Sequence, residues 1–111
     1  MKMYILIRDS VPDPFAPVIA AHASLACYKQ YESDPDMQTW IRGIFRKVVC
    51  RVNDQEFAHA RRTEKYTVLT ESALDGEEVA LAFCPRAEYP KGFRFFQMWK
   101  PRINQRAVPK K

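Results

Sequence analysis

Apolar positions fall in short blocks along this chain, and the period of each block names an element. Residues 3–7, Met-Tyr-Ile-Leu-Ile, form an apolar run without alternation, as expected of a central strand covered on both faces. Pro12, Pro14, Asp9 and Asp13 make residues 9–14 a loop. Residues 16–31 read as a helix that starts near Pro17, whose fixed φ suits a first turn and disfavours helical geometry at Ala16. Its middle is small-sided (Ala20, Ala21, Ala23, Ser24, Ala26, Cys27), so a sheet, another backbone or a ligand can come close. Asp34-Pro35-Asp36 then restarts the chain as N-cap, first helical residue and dipole partner of a short second helix. Met37, Trp40, Ile41 and Ile44 give that helix an apolar stripe, and Gly43 lies near its end.

The second half changes period. Residues 46–52 alternate in part, with Val48, Cys50 and Val52 on one face of a strand and Lys47, Val49 and Arg51 on the other. Asn53 and Glu56 have the spacing of a capping box, and Phe57, Ala60 and Arg61 carry a third helix onward, with His59 facing solvent. Residues 66–70 and 78–84 are strands by residue type, and the acidic connection between them contains an Asp75-Gly76 turn signal that suits antiparallel pairing. Residues 93–100 read either as a closing strand or as an irregular segment packed on the sheet. The order β-α-α-β-α-β-β predicts an α/β fold: one mixed four-stranded sheet flanked by helices, in a single domain over residues 1–100, followed by a basic, mobile tail at 101–111.

A hydrophobic content of 47% in 111 residues supports one real core, and no apolar run is long enough to span a membrane. The apolar start is interrupted by Arg8 and Asp9 before it could serve as a signal sequence, so a soluble, cytoplasmic protein with no membrane partner is expected. Cys27, Cys50 and Cys84 are odd in number and far apart, which suggests small buried hydrophobes and neither disulfides nor a zinc site. No phosphate loop, metal-ligand spacing or nucleophile elbow occurs, and no metal or cofactor is expected. Charge adds a partner class. The formal net charge is +5, and from Lys91 onward there are seven cations and no acid, which favours a polyanion, with nucleic acid ahead of an anionic membrane. Arg46, Lys47, Arg51, Lys91 and Arg94 are the candidate phosphate contacts, against the plainer reading of a solvated basic face. Phe93, Phe95, Phe96 and Trp99, interleaved with these charges, suit either the core or stacking on unpaired bases.

The candidate reactive groups are His22 in the small-sided helix, Lys47 at a strand start, and Glu71 or Asp75 after another strand. At helical spacing His22 shares its face with Val18, Ile19, Leu25 and Ala26, which predicts an imidazole at or near the packing surface. A lone histidine in that position is more often a hydrogen-bonded core residue than a catalyst. In a sheet assembled as above the candidate groups can converge on one rim, which spacing alone does not decide.

Several signals in one order then suggest a relationship. His22 to Gln30 as His-Ala-Ser-Leu-Ala-Cys-Tyr-Lys-Gln, the Pro35-Asp36-Met37 break, Trp40 and the Lys47-Val48-Val49 strand resemble the type-2 peptidyl-tRNA hydrolase family over residues 3–57. Arg86, Tyr89-Pro90-Lys91 and Phe93-Arg94 resemble its divergent peptidyl-tRNA hydrolase domain-containing branch. The resemblance implies a mixed sheet flanked by helices, a homodimer, tRNA as partner, and hydrolysis of the ester joining a peptide to tRNA. It places the family's helix histidine on His22 and its strand lysine on Lys47, and puts Glu71 near the family's aspartate. Lys47 would hold the terminal phosphate or offset the oxyanion while His22 or Glu71 orients water. The family's helix lysine and glutamine would fall on Phe15 and Ile19, where neither is kept. Two functions follow: a hydrolase of peptidyl- or aminoacyl-tRNA with weakened or altered activity, or an inactive RNA-binding or protein-interaction module on the same fold.

Overall fold

The computed structural model describes residues 1–101. In chain order it contains β1 (Met3–Arg8), α1 (Ala16–Gln30), α2 (Pro35–Arg42), β2 (Lys47–Val52), α3 (Asp54–Ala60), β3 (Tyr66–Glu71), β4 (Glu77–Phe83) and β5 (Gln97–Met98), with single 3-10 turns before α1, after β3 and at Lys91–Phe95. The sheet is mixed and has five strands in the order β3-β4-β1-β2-β5. One more strand is present than the sequence predicts: the segment 93–100 does both things its composition allows, turning at 91–95 and then pairing Gln97 with Arg51 and Met98 with Cys50. The expected tail at 101–111 lies, except for Pro101, outside the described residues.

β1 is central, and its unbroken apolar run is buried on both faces. It pairs in parallel with β2, from Met3 opposite Lys47 to Arg8 opposite Val52, and antiparallel with β4. Side-chain alternation divides the core in two. Met3, Ile5 and Ile7 meet Ile19, Ala23, Cys27, Met37 and Trp40 under α1 and α2, whereas Tyr4 and Leu6 join Phe57, Ala60, Phe83 and Phe93 under α3 and the 91–95 turn.

Local chemistry fixes the helix ends. Asp34 Oδ1 accepts from the backbone N–H groups of Asp36 and Met37, and its Oδ2 accepts from Lys65 Nζ at 2.8 Å. The capping box is complete, with Asn53 and Glu56 exchanging bonds of 2.8 and 2.9 Å. Two expectations need correction. α2 ends at Arg42, two residues before Ile44, which is 77% exposed and outside the predicted stripe. In α1 the buried line is Ala16, Ile19, Ala23 and Cys27, so His22 stands in solvent and does not lie on the packing face. With alanines on every side, this helix has no polar face to fix its rotation.

Candidate functional site

A cleft of about 610 Å³ opens between α1, α2 and the start of β2. Its floor is Ile5 and Val49, one wall is Ala20, Ala21, Ser24, Leu25 and Tyr28 of α1, and the other is Trp40, Ile41 and Phe45. This volume lies in the range of small-molecule sites. The small residues of α1 create it, because side chains no larger than Ala20, Ala21 and Ser24 leave the space between helix and sheet unfilled. A hollow of about 290 Å³ continues it past Ala20 and Val49 toward Ala16 and Trp99.

Lys47 is the charged residue lining the cleft. Its ammonium donates to the Phe45 carbonyl at 3.1 Å and lies 4.7 Å from the Phe45 ring centroid and 5.4 Å from that of Trp40. Phe45 itself has φ of 41°, a left-handed conformation that is costly for a bulky side chain. That bend seats its ring edge-on to Trp40 at 6.0 Å and closes one end of the cleft. Trp40 is anchored in turn by its indole N–H, which donates to the Arg46 carbonyl at 2.8 Å.

The other candidates stand elsewhere. His22 is exposed on α1, rotated roughly 130° about the helix axis from the middle of the cleft-lining face, and does not line the cleft. Glu71 ends β3, where its carboxylate accepts from the Ala73 N–H at 3.3 Å. Lys47 is level with Met3 in the sheet, whereas Glu71 lies two residues beyond the level of Ile7 and three strands away, roughly 25 Å from Lys47. Lys47 and Glu71 thus occupy opposite ends of the sheet and do not meet on one rim. Asp75, in a left-handed turn beside Gly76, is at the Glu71 end. Ile19 is fully buried, and Phe15 is partly exposed at the start of α1.

The candidate phosphate contacts divide likewise. Arg51 is engaged: Nη2 donates to Asp13 at 3.0 Å and to the Lys100 carbonyl at 2.6 Å, and the guanidinium stacks 3.6 Å from the Trp99 ring centroid. Its side chain is 12% exposed, which makes it a fastener of the sheet edge and removes it from the phosphate contacts. Arg46, Lys47, Lys91 and Arg94 are exposed, and all four lie toward the end of the sheet where β1 and β2 begin. Arg86 is at that end too, but its guanidinium is spent on the carbonyls of Cys84, Glu64 and Lys65. The opposite end carries Asp9, Glu71, Asp75, Glu77 and Glu78 together with the cations Arg8 and Arg61, the latter paired with Glu78 at 2.6 Å. Among the interleaved aromatics Phe93 is core, Phe96 is half-buried, Trp99 lies under Arg51, and Phe95 is 75% exposed.

Among the described residues no cluster of histidine, cysteine or carboxylates could hold a metal ion, and no helix is long and apolar enough to cross a membrane. All three cysteines are buried and unpaired, and burial pushes their thiols up, to about 12 for Cys27 and about 11 for Cys50 and Cys84. The sequence pointed to the cleft through its small-residue stretch; Phe45 and Tyr28 carried no such signal. The fold and cleft define an α/β domain with a ligand-sized apolar site beside a basic sheet end. No family model matches the sequence, and no curated protein matches it.

Proposed function

We propose that the chain is a peptidyl-tRNA hydrolase-like protein that binds the acylated 3′ end of a tRNA. The acyl or peptidyl group would occupy the cleft between α1, α2 and β2, and the phosphates would follow the basic end of the sheet. The observation that carries this reading is the position of Lys47, the strand lysine singled out by the resemblance, at the wall of an apolar cleft. Attack of water on the ester carbonyl produces an oxyanion, and collapse of that intermediate expels the 3′-hydroxyl of the RNA. An ammonium at the mouth of the cleft can offset the charge of the oxyanion or of the adjoining phosphate. Ser24 and Tyr28 offer hydroxyls that can hold the water, while the Asp13 carboxylate lines the adjoining hollow and is paired with Arg51 at 3.0 Å. A carboxylate held in that pair is a weak general base, an assistance worth about 10²–10⁴-fold when present, and turnover should be slow.

Single-turnover hydrolysis of a blocked aminoacyl-tRNA tests this. Lys47→Ala should lose about 10²–10³-fold, by analogy with removal of one oxyanion donor. His22→Ala should retain the wild-type rate, because the imidazole is outside the cleft. Unchanged turnover in Lys47→Ala would reject the assigned role. The second reading, an RNA-binding module without chemistry, is favoured by the separation of His22 and Glu71 from Lys47. Absence of turnover together with salt-sensitive tRNA binding would select it.

A further inference from the structure

On the other face of the sheet, at the same basic end, a hollow of about 190 Å³ lies between the start of β1 and the 91–95 turn. We propose that it is a second RNA contact, which takes a phosphodiester of single-stranded RNA between Lys2, Lys91 and Arg94 while an adjoining base stacks on Phe95. This goes beyond the reading of the Lys47 cleft and needs no ester chemistry.

Three observations support it. Lys2, Lys91 and Arg94 all line the hollow, and among the described residues none of them is in an ion pair. An anion entering the hollow therefore meets cations that need not give up a carboxylate partner to bind it, Lys2 Nζ lying 5.7 Å from the Tyr4 ring centroid. The walls are preformed: the Tyr4, Tyr89 and Phe93 rings pack with centroids 4.6 to 5.3 Å apart, and the Tyr89 hydroxyl donates to the Lys2 carbonyl at 2.8 Å. This bond ties the backbone of Lys2 to the loop that carries Lys91. Finally, Phe95, next in sequence to the lining residue Arg94, is 75% exposed with the Arg94 guanidinium 5.2 Å from its ring centroid, an exposed aromatic ring beside a cation. That combination suits unpaired bases, which all have a π-face, in a backbone-tracking groove. A concave site with one exposed large apolar side chain is poorly shaped for a membrane surface, which is met by a broad apolar face.

The test is fluorescence anisotropy of the full chain with a short, unacylated, end-labelled single-stranded RNA over a series of salt concentrations. Phe95→Ala, at an exposed position whose loss leaves the core intact, should weaken binding roughly 5- to 150-fold. Lys2→Gln with Lys91→Gln should flatten the plot of log affinity against log salt by about 0.7, the share of the one phosphate no longer neutralised. Lys29→Gln, an exposed cation on α1 of the opposite face, should match wild type. Wild-type affinity in the Phe95 and lysine variants, or an equal loss in Lys29→Gln, overturns the site. Competition by adenosine monophosphate at the same concentration as the oligonucleotide would assign the hollow to free nucleotides and overturn RNA as its ligand. Phe95-dependent binding to phosphatidylserine vesicles in place of RNA would overturn it in favour of a membrane. Hydrolysis of acylated tRNA by a chain that does not bind the short RNA would reject this hollow and leave the Lys47 reading standing.

Discussion

Asp34 accepts from three donors: two backbone N–H groups of the first turn of α2, and the Lys65 ammonium, which ties that helix to the start of β3. The bond from Lys65 holds its carboxyl below its ordinary value of 3.8, with the backbone donors adding to the effect. Removing an N-cap of this kind costs about 0.5–2 kcal/mol, so Asp34→Ala should be destabilised by that amount in urea unfolding near neutral pH. The pH dependence follows from the sign of the shift. A carboxyl depressed in the folded state contributes its full stability above 3.8 and loses it as pH falls through the depressed value, so the gap between wild type and Asp34→Ala should narrow only in that acid range. The cysteines make the opposite case. With all three thiols buried and pushed up to about 11 or 12, alkylation at about pH 8 should leave the native chain unlabelled and modify the three sites only in denaturant.

At the scale of elements, α1 determines where the cleft can be. Its buried line runs through Ile19, and its cleft wall through Leu25, which is 61% exposed. Ile19→Ala should cost about 2–5 kcal/mol, while Leu25→Ala should stay within about 0.5 kcal/mol and change ligand binding instead; denaturant midpoints and binding measured on the same two variants separate these effects. The sequence named this helix but not its rotation. Val18, Ile19, Leu25 and Ala26 looked like one apolar face around His22, yet only Ile19 among them is buried, because alanines pack or face solvent with little difference in energy. Where residues had a single chemical solution the reading was legible: the Asp34-Pro35 cap, the Asn53–Glu56 box, the buried β1 run and the Val48, Cys50, Val52 face are all present. β5 was ambiguous, since two paired residues leave no periodicity to read. The candidate site was half legible for a topological reason. A lysine at the start of β2 and a carboxylate at the end of β3 lie at opposite ends once β1, β2 and β3 run the same way, and strand direction is not encoded in local spacing.

At the scale of the whole molecule, both the Lys47 cleft and the Lys2 hollow open at the end of the sheet where β1 and β2 begin, beside the exposed cations Arg46, Lys47, Lys91 and Arg94. A polyanion feels such cations over distances set by a Debye length of about 8 Å at physiological salt. Arg46, exposed at that end, should act on encounter more than on residence. On the proposed function, Arg46→Glu should slow tRNA association in stopped-flow, most at low salt, with a smaller change in the dissociation rate.

The brevity of β5 has a further consequence, for self-association. The outer edge of β2 is covered by two paired residues and by the bond from the Trp99 N–H to the Val49 carbonyl at 2.9 Å, with the Arg51–Trp99 stack as its latch. A strand edge left uncovered is a template for any other chain able to extend it. Loosening that latch would bare the β2 edge to strand exchange, so at this side of the sheet resistance to self-association rests on the Arg51–Trp99 stack and the Asp13 pair that holds it.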